Sequence, residues 1–191
     1  MFPSEIVGKI NSGGVGILPT DTICGLSGSA LSPAVVERIY ELKQRPADMP
    51  FIVLIGEWED LGKLGVEITE KDRAVLEKNW PGSISFILPC PDPENKLEYL
   101  HRGKKTIAVR FPIGEDLQKL LAKTGPLIST SANLSGRRPA ETIEEARDYF
   151  GNRVDFYLDA GPRGSQPSTL AKLTNGQVEI LRQGDTELIK N

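Results

Sequence analysis

Residues 13–46 read GGVGILPTDTICGLSGSALSPAVVERIYELKQRP, and this stretch decides the fold. Gly13 and Gly14 close a turn, and Val15, Gly16, Ile17 and Leu18 form a short apolar run suited to a buried strand. Pro19 has no N–H to offer a ladder, so the strand ends there. Thr20, Asp21 and Thr22 follow at once, which puts hydroxyls and a carboxylate at the strand's end and opens a polar loop. Ser32-Pro33 is a helix start, a capping hydroxyl followed by a first-turn proline. Val35, Val36, Ile39 and Leu42 predict the buried face of that helix. Lys43, Gln44, Arg45 and Pro46 stand at its far end. On a regular helix Lys43 and Arg45 would diverge. A helix ending near Gln44 lets both turn into one cleft, where the chemistry is expected.

Outward from this stretch, strands alternate with helices. Residues 4–12 predict a short helix with Ile6, Val7 and Ile10 on one face and Gly13 as its stop. FIVLI at 51–55 is a buried strand, and Thr69 with Asp72 forms a capping box that opens a helix through Ala74, Val75 and Leu76. Residues 83–88 alternate, with Ile84, Phe86 and Leu88 inward and Ser83 and Ser85 on the other face. Residues 90–105, with Pro91, Pro93, Gly103 and many charges, read as an exposed excursion. A strand over 106–111 carries Arg110, and 115–123 is a helix. Leu127-Ile128 is a short strand running into Ser129-Thr130-Ser131-Ala132-Asn133. Thr142 caps a helix to Phe150, 156–159 is a strand, and 161–167 is a glycine- and proline-bearing loop. Residues 168–172 and 177–181 form a closing hairpin across Thr174-Asn175-Gly176. This pattern predicts a single α/β domain over 1–191 with a mixed sheet.

The 191 residues, 39% hydrophobic and 26% charged, have an ordinary globular composition. A net charge of −3 argues against nonspecific coating of nucleic acid by a basic surplus. Two cysteines without a CxxC pattern fit a reducing, cytoplasmic setting, and no run reaches membrane-spanning length. His101, the single histidine, sits in the charged excursion and reads as a surface side chain. That removes Ser-His-Asp and Cys-His catalysis and most zinc sites. Neither common glycine-rich nucleotide fingerprint occurs, and Cys24 reads as a packed thiol.

What recurs is a strand followed by hydroxyls: Thr20 and Thr22 after one, Ser129, Thr130 and Ser131 after another, Ser168 and Thr169 beginning a third. Arg110 and Arg182 stand at strand ends. Ligands of open α/β sheets collect outside strand carboxyl ends, and such donors suit a ligand rich in anionic oxygens. Each hydroxyl alone reads as a turn or cap residue and each cation as part of a solvated face. Only their joint placement carries the anion-binding reading, and it names no reaction.

At LPTDTICGL (18–26), ELKQRPADMP (41–50), NWPGSISFIL (79–88), IAVRFP (107–112), PLISTSANLSG (126–136), PSTL (167–170) and ILRQG (180–184) the sequence resembles the YrdC-like family, threonylcarbamoyl-AMP synthases of the short, single-domain kind. The resemblance spans nearly the whole chain, with KxRP and STSAN together the most specific part. It implies a twisted mixed sheet with flanking helices and a concave basic cavity. It also implies synthesis of threonylcarbamoyl-AMP and pyrophosphate from L-threonine, bicarbonate and ATP, with Mg2+ held mainly by the phosphates. A partner transferase would then modify adenosine 37 of tRNA. Carried over by position, Lys43 and Arg45 would be catalytic and hold phosphates and carboxylate, while Thr22, Ser129 and Ser168 would contact threonine. Ser85, Ser131, Asn133 and Arg182 would bind nucleotide, and Arg110 would belong to the same basic cavity.

Three positions depart from the family pattern. Cys24 replaces an aromatic residue, Met49 stands where lysine is usual, and Lys172 stands where an acid is common. Two other readings remain open. One is an RNA-binding or ribosome-maturation protein using the cavity with the Lys104-Lys105 and Arg137-Arg138 patches. The other is a family paralogue with different carbamoyl or nucleotide chemistry.

Overall fold

The computed structural model describes residues 2–159, 161, 167–184 and 186–189. The chain runs α1 (Ser4–Asn11), β1 (Gly16–Pro19), β2 (Cys24–Ser29), α2 (Pro33–Lys43), β3 (Ile52–Leu54), α3 (Asp60–Lys63), α4 (Glu70–Asn79) and β4 (Ile84–Pro89). It continues through α5 (Glu98–His101), β5 (Thr106–Arg110), α6 (Glu115–Thr124), β6 (Leu127–Ser131), α7 (Ile143–Phe150), β7 (Phe156–Tyr157), β8 (Thr169–Thr174) and β9 (Gln177–Arg182). Among the described residues the strands form one twisted sheet in the order β7-β1-β2-β6-β3-β5-β4-β8-β9. Parallel pairs (β1 with β7, β3 with β5, β4 with β8) interrupt antiparallel ones, so the sheet is mixed as expected. No helix of the described residues is long and apolar enough to cross a membrane.

Local chemistry sets the helix ends. Ser32 Oγ accepts from the Val35 N–H (3.4 Å) at the start of α2, and Thr142 Oγ1 accepts from Glu145 N–H (3.2 Å) at α7. At α4, Thr69 Oγ1 accepts from Asp72 N–H (3.1 Å) while Asp72 Oδ2 accepts from Thr69 N–H (3.0 Å), a reciprocal capping box.

The pleat sends alternate residues to opposite faces, each covered differently. Ile17, Val53, Ile128, Phe86 and Val109 join α2, α4 and α7 in the larger core. Leu18, Leu54 and Leu127 pack with Ile6 and Ile10 of α1 and Leu117, Leu120 and Leu121 of α6 in a smaller one. Only part of this second face lies beneath α1 and α6. The rest of it forms the floor of a cavity.

The structure departs from the sequence reading in four places. Residues 24–29, expected in a polar loop, are strand β2, pairing Pro19 with Cys24 on one side and Ser129 with Ser27 on the other. Two glycines and two serines give CGLSGS little strand propensity, and the place between β1 and β6 makes it a strand. β6 extends through Ser129–Ser131, so those hydroxyls lie on the strand and not after it. The short helix α3 falls where the sequence showed no element. The 90–105 segment is not a solvated excursion: Cys90, Asp92, Leu100 and His101 are buried. Residues 162–166 of the expected 161–167 loop lie outside the described residues.

Candidate functional site

The strand registers lay the cavity floor. Ser129 on β6 is opposite Ile52 on β3, Ile52 opposite Ala108 on β5, Ala108 opposite Ile87 on β4, and Ile87 opposite Lys172 on β8. Laterally paired residues share a face, and all five line a cavity of about 820 Å3. Four strand spacings of about 4.8 Å make this row roughly 19 Å long. Its middle is apolar, with a hydroxyl at one end and an ammonium at the other. Gly25 lies beside it on β2; a Cβ there would come within 3.0 Å of Ser129 Oγ, so glycine keeps that hydroxyl open.

The β1–β2 turn closes over the floor. Asp21 Oδ1 is 3.0 Å from Arg110 Nη2, and Asp21 Oδ2 accepts from Ser83 Oγ (3.3 Å). Arg110 Nη1 donates to Thr22 Oγ1 (3.2 Å), which shares a further hydrogen bond with Thr20 Oγ1 (3.2 Å). Burial lowers the Arg110 pKa, Asp21 opposes that, and Arg182 adds to the lowering. The Arg182 pKa is also lowered by burial. A guanidinium stays cationic through such shifts, so Arg110 and Arg182 bring two positive charges to the cavity that both line.

At the other wall Ser168 Oγ is 2.9 Å from the fully buried Ser85 Oγ, and Ser168 O accepts from Arg182 Nη2 (2.8 Å). Thr169 Oγ1 accepts from Gly184 N–H (2.9 Å) and donates to Thr186 O (2.6 Å). The segment after β9 is thereby tied to the start of β8.

The end of α2 divides its two cations. The helix stops at Lys43, and Gln44 is left-handed (φ 52°). Arg45 reaches the cavity wall, donating from Nε to Met49 O (2.9 Å) and from Nη2 to Pro50 O (3.3 Å), 5.1 Å from the Phe51 ring centroid. Lys43 turns inward and is 1% exposed. Its Nζ donates to Ser131 O (2.6 Å), Asn133 O (3.0 Å) and Asn133 Oδ1 (3.1 Å). Burial, and less so Arg45, push its pKa down to about 7. The three acceptors act the other way, because only an ammonium supplies three donors.

Thus Thr22, Arg45, Arg110, Ser129, Ser131, Ser168 and Arg182 line the cavity, while Lys43, Ser85 and Asn133 stand behind its wall. Ser85 backs Ser168, and Asn133 is bonded to Lys43 and to Ser131 Oγ (2.5 Å). The sequence reading missed Thr106, and it set Lys104 only in a patch used with the cavity and Lys172 only as a departure from the family pattern; all three line the cavity. Period-two spacing from Arg110 reaches Thr106, and from Ser168 reaches Lys172. Lys104 precedes its strand and carries no such signal. Cys24 is buried, as expected of a packed thiol, whereas Met49 is 45% exposed and lines the cavity. His101 is fully buried, contrary to its reading as a surface residue, because Asp92 folds back to meet it. The expected Lys104-Lys105 patch is split: Lys105 Nζ donates to Asp92 O (2.9 Å) and Asn95 Oδ1 (2.6 Å). Arg138 pairs with Glu141 and Glu145. Among the described residues no cluster of three or more His, Cys, Asp or Glu could hold a metal ion.

Comparison with known proteins places this architecture. The Sua5/YciO/YrdC family model, described as telomere recombination, matches residues 8–184. A threonylcarbamoyl-AMP synthase of Idiomarina loihiensis is 33% identical over 169 residues, 86% of this chain and 90% of that protein. The crystal structure of Pyrococcus abyssi Sua5 complexed with L-threonine superposes with a TM-score of 0.83 at 32% identity, over 94% of this chain. This chain spans 53% of that longer protein. Escherichia coli YciO superposes with a TM-score of 0.83 at 28% identity, over 96% of this chain and 89% of that one. The protein belongs to the Sua5/YciO/YrdC family.

Proposed function

We propose that this chain is a threonylcarbamoyl-AMP synthase. Threonine's amine attacks the carbon of bicarbonate, water leaves, and a carbamate forms. A carbamate oxygen then attacks the α-phosphorus of ATP, and the bond from that phosphorus to the departing pyrophosphate breaks. The observation that carries the reading is the pair of guanidinium groups, Arg110 and Arg182, lining one cavity with Thr22, Ser129 and Ser168. Bringing carbamate and triphosphate together requires fixed cations that offset their repulsion, and a row of hydroxyls suits a small polar amino acid. The names of the relatives and the threonine complex of Sua5 support the same assignment.

In this reading Arg45, Arg110 and Arg182 hold anionic oxygens, and Thr22, Ser129 and Ser168 hold threonine. Lys43 and Asn133 shape the wall from behind. Among the described residues, lining cations outnumber the single lining carboxylate, Asp48. A magnesium ion would therefore be carried by the triphosphate and water. The product would serve a transferase acting on tRNA. The test is pyrophosphate release from ATP with threonine and bicarbonate omitted in turn; release that ignores either omission overturns the reading. Valine in place of threonine should support far less release, because a site built for a hydroxyl leaves its own donors unpaired without one. Equal release would remove the three hydroxyl residues from the amino-acid site.

A further inference from the structure

We propose that Lys104 is a phosphate-binding residue of the cavity and that the buried Asp92–His101 pair is the positioning element that aims it. The identity of the anion, the nucleotide's phosphate chain, rests on the reaction proposed above. β4 and β5 are adjacent antiparallel strands that a turn of two to five residues could join. The chain instead uses residues 90–105 and folds them around a buried centre. Asp92 accepts from the N–H groups of Lys96 (3.0 Å) and Leu97 (2.9 Å) and from His101 Nε2 (3.0 Å). His101 Nδ1 accepts from Gly103 N–H (3.1 Å), which places the ring proton on Nε2, and His101 O accepts from Lys104 N–H (2.8 Å). One ring and its own carbonyl therefore fix the two residues that end at Lys104.

The backbone here is forced. Four of the six left-handed non-glycine residues among those described, Asp92, Asn95, Arg102 and Lys105, lie in this loop. The result separates neighbouring lysines: Lys105 is tied back to Asp92 and Asn95, while Lys104 lines the cavity with no ion pair or side-chain hydrogen bond among the described residues. The loop is also joined to the Arg45 wall. Arg102 lies 4.1 Å from the Tyr40 ring centroid on α2 and pairs with Glu37 (2.7 Å). Tyr40 Oη donates to Met49 O (3.1 Å), the same carbonyl that receives Arg45 Nε. Arg45 and Lys104 are thus braced through one chain of contacts, and Lys104 is the member whose side chain has no partner among the described residues.

The experiment is calorimetric titration of the full chain with ATP, and separately with inorganic triphosphate, in the absence of threonine. Lys104→Ala should weaken both about tenfold and leave the KM for threonine unchanged. His101→Gln and Asp92→Asn should weaken binding by a similar or smaller factor, and either combined with Lys104→Ala should bind no worse than Lys104→Ala alone. Unchanged binding by Lys104→Ala overturns its role as a ligand. Effects that multiply in the double variants, or failure of both loop variants to fold, overturn the positioning role and leave the pair purely structural. A wild-type protein that binds ATP but forms no adenylate would remove the proposed reaction while leaving Lys104 in place. An active enzyme indifferent to Lys104→Ala would remove only this inference.

Discussion

The ends of α2 and α5 are built alike. Each closes on a buried polar residue, Lys43 or His101, followed by a left-handed residue, Gln44 (φ 52°) or Arg102 (φ 51°). Each then delivers a cation to the same cavity, Arg45 or Lys104. The difference lies in what the buried residue holds. Lys43 reaches forward across the molecule to Ser131 and Asn133, so it couples the helix end to another strand's loop. His101 reaches back nine residues to Asp92, so it stiffens only its own loop. A basic side-chain type near a helix end can therefore be a ligand or a strut, and a neighbour two or three residues on takes the other role.

Replacing the far-reaching strut should have the largest effect on folding. Lys43→Met removes the donor of three hydrogen bonds and strands Asn133 O, while Ser131 O keeps the Asn133 N–H (2.9 Å) and Asn133 Oδ1 keeps Ser131 Oγ. The loss should cost about 1–3 kcal/mol of folding stability. A urea midpoint within error of the wild type would show that Lys43 is not a strut. Next comes the ligand beside it. Arg45→Lys keeps the charge but cannot span Met49 O and Pro50 O while lying over Phe51. Loss of a charged hydrogen bond worth roughly 1.5–3 kcal/mol should slow adenylate formation by about one to two decades with the fold intact. Near-normal turnover would move Arg45 out of the site.

The local strut should respond to acid. Burial pushes the Asp92 carboxyl up, but the Leu97 N–H, the His101 ring and the Lys96 N–H outweigh it and hold the pKa below the ordinary 3.8. Its stabilising contribution is therefore complete above pH 3.8 and is lost as pH falls through the lower folded value. Amide exchange at Gly103 and Lys104 should stay slow down to that range in the wild type and be fast at every pH in Asp92→Asn. Slow exchange in the variant would break the distinction between the two helix ends. The smallest effect is expected at Met49, which lines the same cavity as Arg45 and Lys104. Met49→Lys should add about 1 kcal/mol of attraction for a triphosphate, lowering the KM for ATP several-fold with that for threonine unchanged. An equal or higher KM for ATP would show that the wall already carries enough charge.

Much of this was legible from local rules. The caps at Ser32, Thr69 and Thr142 were visible because capping is decided within four residues. The alternation of Ile84, Phe86 and Leu88 against Ser85 was visible because the pleat has a fixed period. Arg110 and Arg182 were recognisable at strand ends, and both reach the cavity. By contrast β2 has the composition of a loop, and only β1 and β6 on its two sides make it a strand.

The same division separates the site residues. The amino-acid sequence by itself determined the helix stop at Lys43, the cations around it and the hydroxyl-bearing segments, since each depends on neighbours in the chain. It put both nearby cations into one cleft, whereas only Arg45 lines the cavity and Lys43 turns inward. Lys43 became a strut because Ser131 and Asn133, some ninety residues away, bring three acceptors to its ammonium. His101 became buried because Asp92, Leu97 and Gly103 fold around it, although the charges and punctuating prolines and glycine of 90–105 suggest solvent. Burial and hydrogen-bond partnership are properties of contacts between distant segments, and only the tertiary structure decided them.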